Sequence, residues 1–403
     1  AADSAPGLPA ACRGAAGVAR AAFSLIPGSP FDAEQLQPDM ASDMLIARIQ
    51  NYANDAWEVR RLREARQLRA QVTSWLLVRD ERPLEGAAMV FADAAGELWL
   101  DYAVLIDEPA MGRADGRGRL EVSSSYRLYT AAGELAFEDS SQAVYDAYEG
   151  GEFKPFLLAS RIPVVPGEYR LEVEIANRET AKAWKFERTI EAGGAGLGQP
   201  LLAAAAQLAS RGEAGVPFQY AGVQFIPAAE RSFSRRGTLR VVLPVNVNPD
   251  AVRDYELDYI LAHAQDRNLR RVFTEQASPA EFRGGRLLKA KSFTLSEWEP
   301  GEYRLVIHLR NRGNPQVLSS VHTSFRIREA DAERILYAGG PGGEMPAPAA
   351  AYFRALASLA QKDAPRATAY LRRAVEAGFA RPDAKRLLAA LESSTRESAA
   401  AAR

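Results

Sequence analysis

Six residues occur twice in this chain, as Pro166-Gly167-Glu168-Tyr169-Arg170-Leu171 and as Pro300-Gly301-Glu302-Tyr303-Arg304-Leu305, 134 positions apart. The offset persists downstream, where Asn177-Arg178 matches Asn311-Arg312. A segment repeated at a fixed offset means that one structural unit is used twice. Its internal alternation says which kind. Tyr169, Leu171, Val173 and Ile175 fall on one side of an extended chain, and Glu168, Arg170, Glu172 and Glu174 on the other. In the second copy Tyr303, Leu305, Ile307 and Leu309 face one way. Glu302, Arg304, His308 and Arg310 face the other, with Val306 as the exception. Period two with one apolar side is the pattern of a half-buried strand. The Pro-Gly pair ahead of it makes a tight turn, since proline presets φ and glycine tolerates positive φ. The hexapeptide is therefore a structural corner, and the middle of the chain is one β module used twice.

The surrounding pattern extends each copy. In the first, strands are expected at 98–106, 120–130, 134–145, 153–163, 168–176 and 182–190. In the second they are expected at 238–247, 254–262, 286–295, 302–310 and 318–328, all with turn residues between them. This spacing predicts a mainly β chain with helical ends, built on two tandem immunoglobulin-like antiparallel β-sandwiches spanning 85–192 and 217–330. A Gly-rich hinge with a short apolar helix at 201–209 is expected over 193–216. Residues 1–37 read as a loosely ordered leader and 38–80 as an amphipathic helical segment, with Ser42 or Asp43 as its cap. Arg60, Arg61, Arg63, Arg66 and Arg69 lie in that segment, diluted by Glu58 and Glu64, and read as a solvated helix face. After a Pro/Gly linker at 331–348, three short helices are expected within 349–395, at 350–361, 365–377 and 382–391, and then a tail over 396–403.

Length and charge narrow the classes. The chain has 403 residues, enough for several domains. With 50 basic against 51 acidic residues it lacks the basic excess of a nucleic-acid binder. No apolar run approaches the length needed to span a bilayer. Cys12 is the one cysteine, so no intramolecular disulfide forms. The start, Ala1-Ala-Asp-Ser-Ala-Pro, reads as a mature end left after export.

Three resemblances add to this reading. Leu8-Pro9-Ala10-Ala11-Cys12 resembles a lipoprotein cleavage box, with proline where that box carries leucine; Cys12 is read here as a free thiol in a mobile tail. The run from Tyr352 through Arg366-Ala-Thr-Ala-Tyr-Leu-Arg-Arg-Ala-Val-Glu-Ala-Gly-Phe to Pro382 resembles a single tetratricopeptide repeat. A lone repeat forms no peptide-binding groove, which implies that it packs on the β modules or extends a partner's array. The region 85–330 resembles the paired β-sandwich tails of bacterial exported proteins with von Willebrand-type or GWxTD-type domains. It shares their Pro-Gly-x-Tyr-x-Leu corners and a Phe225-Ile-Pro-Ala segment. The head-domain motifs, Asp-x-Ser-x-Ser and Gly-Trp-x-Thr-Asp, are absent from the sequence. The resemblance therefore implies an exported, non-catalytic, adhesive or scaffolding role.

Residues for chemistry are sparse. There are three histidines, His263, His308 and His322, and no P-loop, Gly-x-Ser-x-Gly or His-Glu-x-x-His motif. Ser123-Ser124-Ser125 reads as polar strand filling. Asp101, Asp107, Glu108, Asp115 and Glu121 sit around expected turns at spacings that match no calcium loop. His308 and His322 lie symmetrically about Asn314-Pro315. Symmetric pairing would set them opposite each other, where with a third ligand they could hold Zn²⁺ or Cu²⁺; two exposed polar residues are the alternative. Tyr145, Tyr148, Phe153 and Phe156 cluster about Gly150-Gly151 and are candidates to stack on a glycan or anchor a partner, or else are core. Trp184 and Trp298 are placed near strand edges. The sequence thus predicts a non-enzymatic exported scaffold or structural subunit without cofactor. It would bind protein partners, or copies of itself, through strand edges and terminal helices. A carbohydrate-binding accessory protein is the alternative.

Overall fold

The computed structural model describes residues 80–401 apart from 94, 115–117, 178–179, 181, 209–215, 221, 267–268, 330–335, 338–344 and 380. The leader, Cys12 and the helical segment expected over 38–80 lie outside these, save Asp80. The described chain belongs to two compact units. One spans Asp80–Phe379, and the other takes in 1–79 and 380–403. Of the latter only a helix, Pro382–Ala401, is described. It runs past the expected helix end at 391 and through most of the expected tail.

The larger unit is mainly β. Its first module contains β1 (Asp80–Pro83), β2 (Gly86–Ala92), β3 (Leu98–Ile106), β4 (Leu120–Thr130), β5 (Leu135–Tyr145), β6 (Phe156–Pro163), β7 (Gly167–Asn177) and β8 (Lys182–Ala192). Its second contains β9 (Leu201–Leu208), β10 (Val223–Pro227), β11 (Ser232–Ser234), β12 (Thr238–Asn246), β13 (Tyr255–His263), β14 (Arg270–Ala277), β15 (Arg286–Thr294), β16 (Gly301–Asn311) and β17 (Val317–Arg328). Each module has two sheets. The first outer sheet runs β1-β8-β7-β4-β5, and the second outer sheet β11-β17-β16-β13-β14. In both, a short first strand pairs parallel with the last long strand, and all other pairings are antiparallel. The inner sheets place β3 between β2 and β6, and β12 between β9 and β15. The repeated corner opens β7 and β16, whose bounds carry the same 134-residue offset. One step differs. The chain enters module one through β1 and then β2, but enters module two through the inner strand β9 before the edge strand β11.

Three apolar layers hold four sheets together. In β3 the even-numbered Leu98, Leu100, Tyr102, Val104 and Ile106 join Leu128, Tyr169, Leu171 and Ile175 of the first outer sheet. The odd-numbered Ala103 and Leu105 turn the other way. They meet Leu201, Ala203, Phe225 and Val242 of the second inner sheet, together with Met89 and Leu157. β12 mirrors this, with Leu239, Val241, Leu243 and Val245 facing its own outer sheet and Val242 facing module one. The inner sheets are thus buried on both sides, which is why these strands read as near-continuous apolar runs while β7 and β16 alternate. The segment expected as a hinge with a helix is instead built into this stack. Leu201–Leu208 is strand β9, because Leu201, Leu202 and Ala203 pair with β12 and fill the layers on both sides of the sheet. Three alanines follow, of which Ala204 bulges out and Ala205 and Ala206 pair with β10. Their helix propensity is overridden by that burial.

The expected linker also takes part. β18 (Leu336–Tyr337) adds to the first inner sheet, parallel to β6. Helices α1 (Ala347–Ala360) and α2 (Ala364–Glu376) then return to module one. Ala357 and Ala360 enter its core, and Phe353 meets Phe137 edge-on at 4.4 Å. Arg354 is buried over Trp99 and donates to the Leu98 carbonyl at 3.2 Å. Glu97 ties both helices down, pairing with Arg354 at 3.3 Å and with Arg373, and accepting from the Tyr370 hydroxyl.

Each corner is fixed by its tyrosine. Tyr169 donates to the Val165 carbonyl at 2.9 Å, and Tyr303 to that of Glu299 at 2.8 Å. The corner glycines have φ of 152° and 154°, outside the range that L side chains favour. A methyl group at Gly167 would meet the flexible end of Gln361. At Gly301 it would meet the His263 ring, which is held edge-on to Tyr303 and accepts two backbone N–H bonds. Both Gly→Ala variants should therefore lose stability, by about 1–3 kcal/mol. Gly301→Ala should lose the more, as urea-unfolding midpoints would show.

Candidate functional site at the module junction

Asp101 breaks the apolar run of β3 and is fully buried. A carboxylate in such a place needs partners on all its lone pairs. Arg161 of β6 supplies a two-pronged contact, Nε to Oδ1 at 2.7 Å and Nη2 to Oδ2 at 2.8 Å. From module two the Phe218 backbone N–H and the Tyr220 hydroxyl, at 3.0 Å, also donate to Oδ2. The Arg161 guanidinium lies 4.6 Å from the centre of the Phe91 ring. Phe218 has φ of 59°, rare for an aromatic residue. Its bond to Asp101 and the Gln224 bond to the Pro217 carbonyl at 2.8 Å hold it there. This node joins the modules through polar contacts inside an apolar layer.

The junction also has a small open crevice with enclosed room for about one water molecule. Ala88, Leu202 and Ala228 contribute apolar surface, and Arg188, Arg231 and Thr323 are polar groups on its walls. Arg188 belongs to β8 and occupies the inward phase of that strand, between Phe186 and Ile190. Its Nε and Nη2 donate to Gln199 Oε1 at 3.2 and 2.9 Å. Burial, and then the positive charge of Arg231, hold the Arg188 guanidinium below its usual pKa. Neither arginine has a carboxylate partner among the described residues, in contrast to Arg328, which pairs with Glu230 at 3.3 Å.

The residues expected to bind metal or ligand are arranged otherwise. The β16–β17 pairing is centred on Gly313-Asn314 rather than on Asn314-Pro315, so that His322 stands opposite Val306 and His308 opposite Ser320. The histidines are therefore diagonal rather than facing. No group of three His, Cys, Asp or Glu side chains suited to a metal occurs among the described residues. Phe156 is a core residue. Tyr145, Tyr148 and Phe153 pack against the same core, Tyr145 with its ring 5.1 Å from Phe156 and Tyr148 edge-on to Phe153 at 5.7 Å. Trp184 and Trp298 are buried. Ser124 bonds across the strand pair to Ser141 at 2.9 Å. Of the turn carboxylates, Asp101 lies within β3, and Glu108 accepts from Trp184 Nε1 at 2.9 Å. Asp115 lies outside the described residues. Asp101 and Arg188 carried a legible signal that was missed, a charge in the apolar phase of a strand.

No protein-family model matches this chain, and no curated protein does. Among solved structures, red sea bream transglutaminase is similar at 10% identity over 61% of this chain and 31% of its own, with a TM-score of 0.21. A Bacteroides uniformis β-glucuronidase is similar at 11% identity, covering 56% of this chain and 26% of its own, with a TM-score of 0.20. A putative β-galactosidase from Bacteroides fragilis is similar at 12% identity over 60% and 34%, with a TM-score of 0.19. The match spans about a third or less of each of these chains and extends to β-rich domains alone.

Two outcomes follow from the site. Asp101→Ala removes the buried carboxylate of a two-pronged ion pair and two cross-module hydrogen bonds and should cost about 3–5 kcal/mol, with the pair Asp101→Leu/Arg161→Met recovering part of the loss; urea unfolding of the three proteins measures both. The buried Tyr145 hydroxyl has no hydrogen-bond partner among the described residues, and burial pushes its pKa up to about 12. Its raised value leaves stability intact below about pH 10, the unfolded phenol's value, and removes it as pH climbs towards 12. Tyr145→Phe should therefore be nearly neutral at pH 7 and flatten the alkaline fall in stability, read as unfolding midpoints from pH 8 to 12.

Proposed function

We propose that this chain is a non-enzymatic scaffold of an exported cell-envelope or extracellular assembly, made of two immunoglobulin-like modules and a tetratricopeptide-like helical pair. The observation that carries this reading is the junction. Both inner sheets are buried on both sides and cross-tied by the Asp101 node, so the two modules form one brace. The repeated outer-sheet order and the two tyrosine corners support the immunoglobulin-like assignment. The placement outside the cytoplasm rests on the sequence resemblance to exported β-sandwich tails.

Such a brace presents its outer sheets to partners. On the second one, Val272, Ile260 and Val306 form a row across β14, β13 and β16. Val272 is 52% exposed and lies on an edge strand. Edge strands offer unpaired backbone groups, and apolar residues beside them give a protein partner area to bury. Pull-down from cell-envelope extracts with the full chain should retain a partner that Val272→Glu loses at unchanged melting temperature. Light scattering would distinguish a foreign partner from self-assembly. A protein that captures nothing, stays monomeric and binds a glycan array through Tyr148 would overturn the reading.

A further inference from the structure

The two outer sheets end on equivalent strands that are treated differently. β5 closes the first outer sheet, and helix α1 packs on it through Phe353 and Phe137. β14 closes the second, and no strand among the described residues pairs with its far side. It pairs with β13 along its whole length without a bulge, and it contains no proline. The His263 N–H donates to the Leu269 carbonyl at 3.0 Å. That phase turns the main-chain groups of the odd-numbered residues of β14 towards β13. The N–H and C=O groups of Arg270, Val272, Thr274 and Gln276 therefore point outwards, along an edge eight residues long. Natural edges are blunted by brevity, proline, bulges, cover or charge. Among the described residues charge is the one such device at β14, and it blunts an edge where like charges would meet.

We propose that β14 is the contact strand of a two-fold dimer, pairing antiparallel with the same strand of a second copy so that two outer sheets join into one. The strand is complementary to itself. With Phe273 opposite its own copy, Arg271 faces the partner's Glu275, Val272 faces the partner's Thr274, and Arg270 faces the partner's Gln276. Opposite charges across a strand pair stabilise it and like charges destabilise it. Sliding the strands by two residues separates Arg271 from the partner's Glu275, and sliding them by four sets one of the two against itself. Both members are positioned before the copies meet. Glu275 is held by Lys289 at 3.5 Å and Lys291 at 3.6 Å. Arg271 pairs with Glu297 at 3.0 Å and lies 4.8 Å from the centre of the Trp298 ring. On the solvent side the row of Val272, Ile260 and Val306 gains cover at its open end, where Val272 is 52% exposed. The corresponding row of the first outer sheet is Glu138, Arg127 and Glu172, so the apolar row belongs to the module whose edge lacks a helix. A two-fold contact closes on itself, and dimerisation leaves no free β14 edge on either copy. The inference rests on the scaffold reading and names a second copy as its partner.

The test is sedimentation velocity with light scattering on the full chain, from about 1 μM to 1 mM. The mass should double across that range, and Arg271→Glu should weaken the dimer by about tenfold or more. Glu275→Lys should weaken it likewise, and mixing the two variants should restore the dimer, because the exchanged charges then face each other. A second probe leaves both residues in place. In a Cys12→Ser background, Arg270→Cys/Gln276→Cys should give disulfide-linked dimers under mild oxidation, since opposite residues of a hydrogen-bonded pair stand about 5.5 Å apart. Arg270→Cys alone should not cross-link. The dimer is refuted by a single mass at every concentration. It is equally refuted by a doubling that Arg271→Glu leaves unchanged, or by Arg270→Cys cross-linking as readily as the pair. A monomer that still retains an envelope protein on pull-down sinks the dimer and leaves the scaffold reading standing. A β14 dimer that retains no envelope protein upholds the dimer and removes the foreign partner.

Discussion

A buried carboxylate sets the geometry of the β unit. Apolar faces alone tolerate sliding, because one methyl-lined contact replaces another at little cost. Asp101 does not. It takes Arg161 from its own sheet and two donors from the second module, Phe218 and Tyr220. Any displacement would leave a charge unpaired in a dry layer, a penalty of several kcal/mol. The apolar contacts of Met89, Leu105, Leu157 and Val242 supply the attraction, and Asp101 supplies the register. The burial of β9, and the conversion of an expected hinge into a strand, follow from that fixed approach.

With both inner sheets enclosed, polar character is displaced to the outer layers. On the first outer sheet Glu172 lies between Arg170, Lys185 and Arg127, at 3.2, 3.9 and 3.9 Å. On the second, Asp258 binds Arg310 and accepts from Thr274 at 2.6 Å, and Arg310 draws the Asp258 carboxyl below its usual pKa. These networks occupy equivalent sheets of the two modules without sharing residues at the repeated offset. The corner was retained in both copies, since turn and tyrosine bond are backbone requirements. The outer charges were free to diverge, because any mixed-sign solvated face satisfies the sheet.

Much of the β architecture was legible from period and punctuation. The strands at Leu98–Ile106 and Leu120–Thr130 fall where alternation and turn residues placed them, and α1 and α2 begin within three residues of expectation. Three kinds of element were not legible. β9 is alanine-rich, and alanine reports helix unless burial is known. β1, β11 and β18 are two to four residues long and pair in parallel with strands far away in sequence. The β16–β17 pairing is centred on Gly313-Asn314, a position that symmetry about Asn314-Pro315 does not reveal. The site was hidden more deeply. Alternation marks Arg188 as inward-facing, but nothing in the sequence brings it to Arg231, which lies beyond β9 and β10 in the next module.

Backbone strain separates the ordinary turns from the unusual one. Among the described residues, three non-glycine residues have positive φ: Phe218, Arg231 and Lys362. Lys362 follows the end of α1, and Asp363 N–H closes on the Ser358 carbonyl at 2.9 Å, so a left-handed residue there is a helix cap. Phe218 is offset by its bond to Asp101 and by complete burial of its ring. Arg231 is held by its main chain, its N–H donating to the Ala228 carbonyl and its carbonyl accepting from the Arg326 N–H, each at 2.9 Å. Its side chain makes no ion pair among the described residues, and its nearest charged neighbour in the crevice repels it. The surrounding main-chain bonds over-determine the conformation, which is how a strained residue persists in a fold.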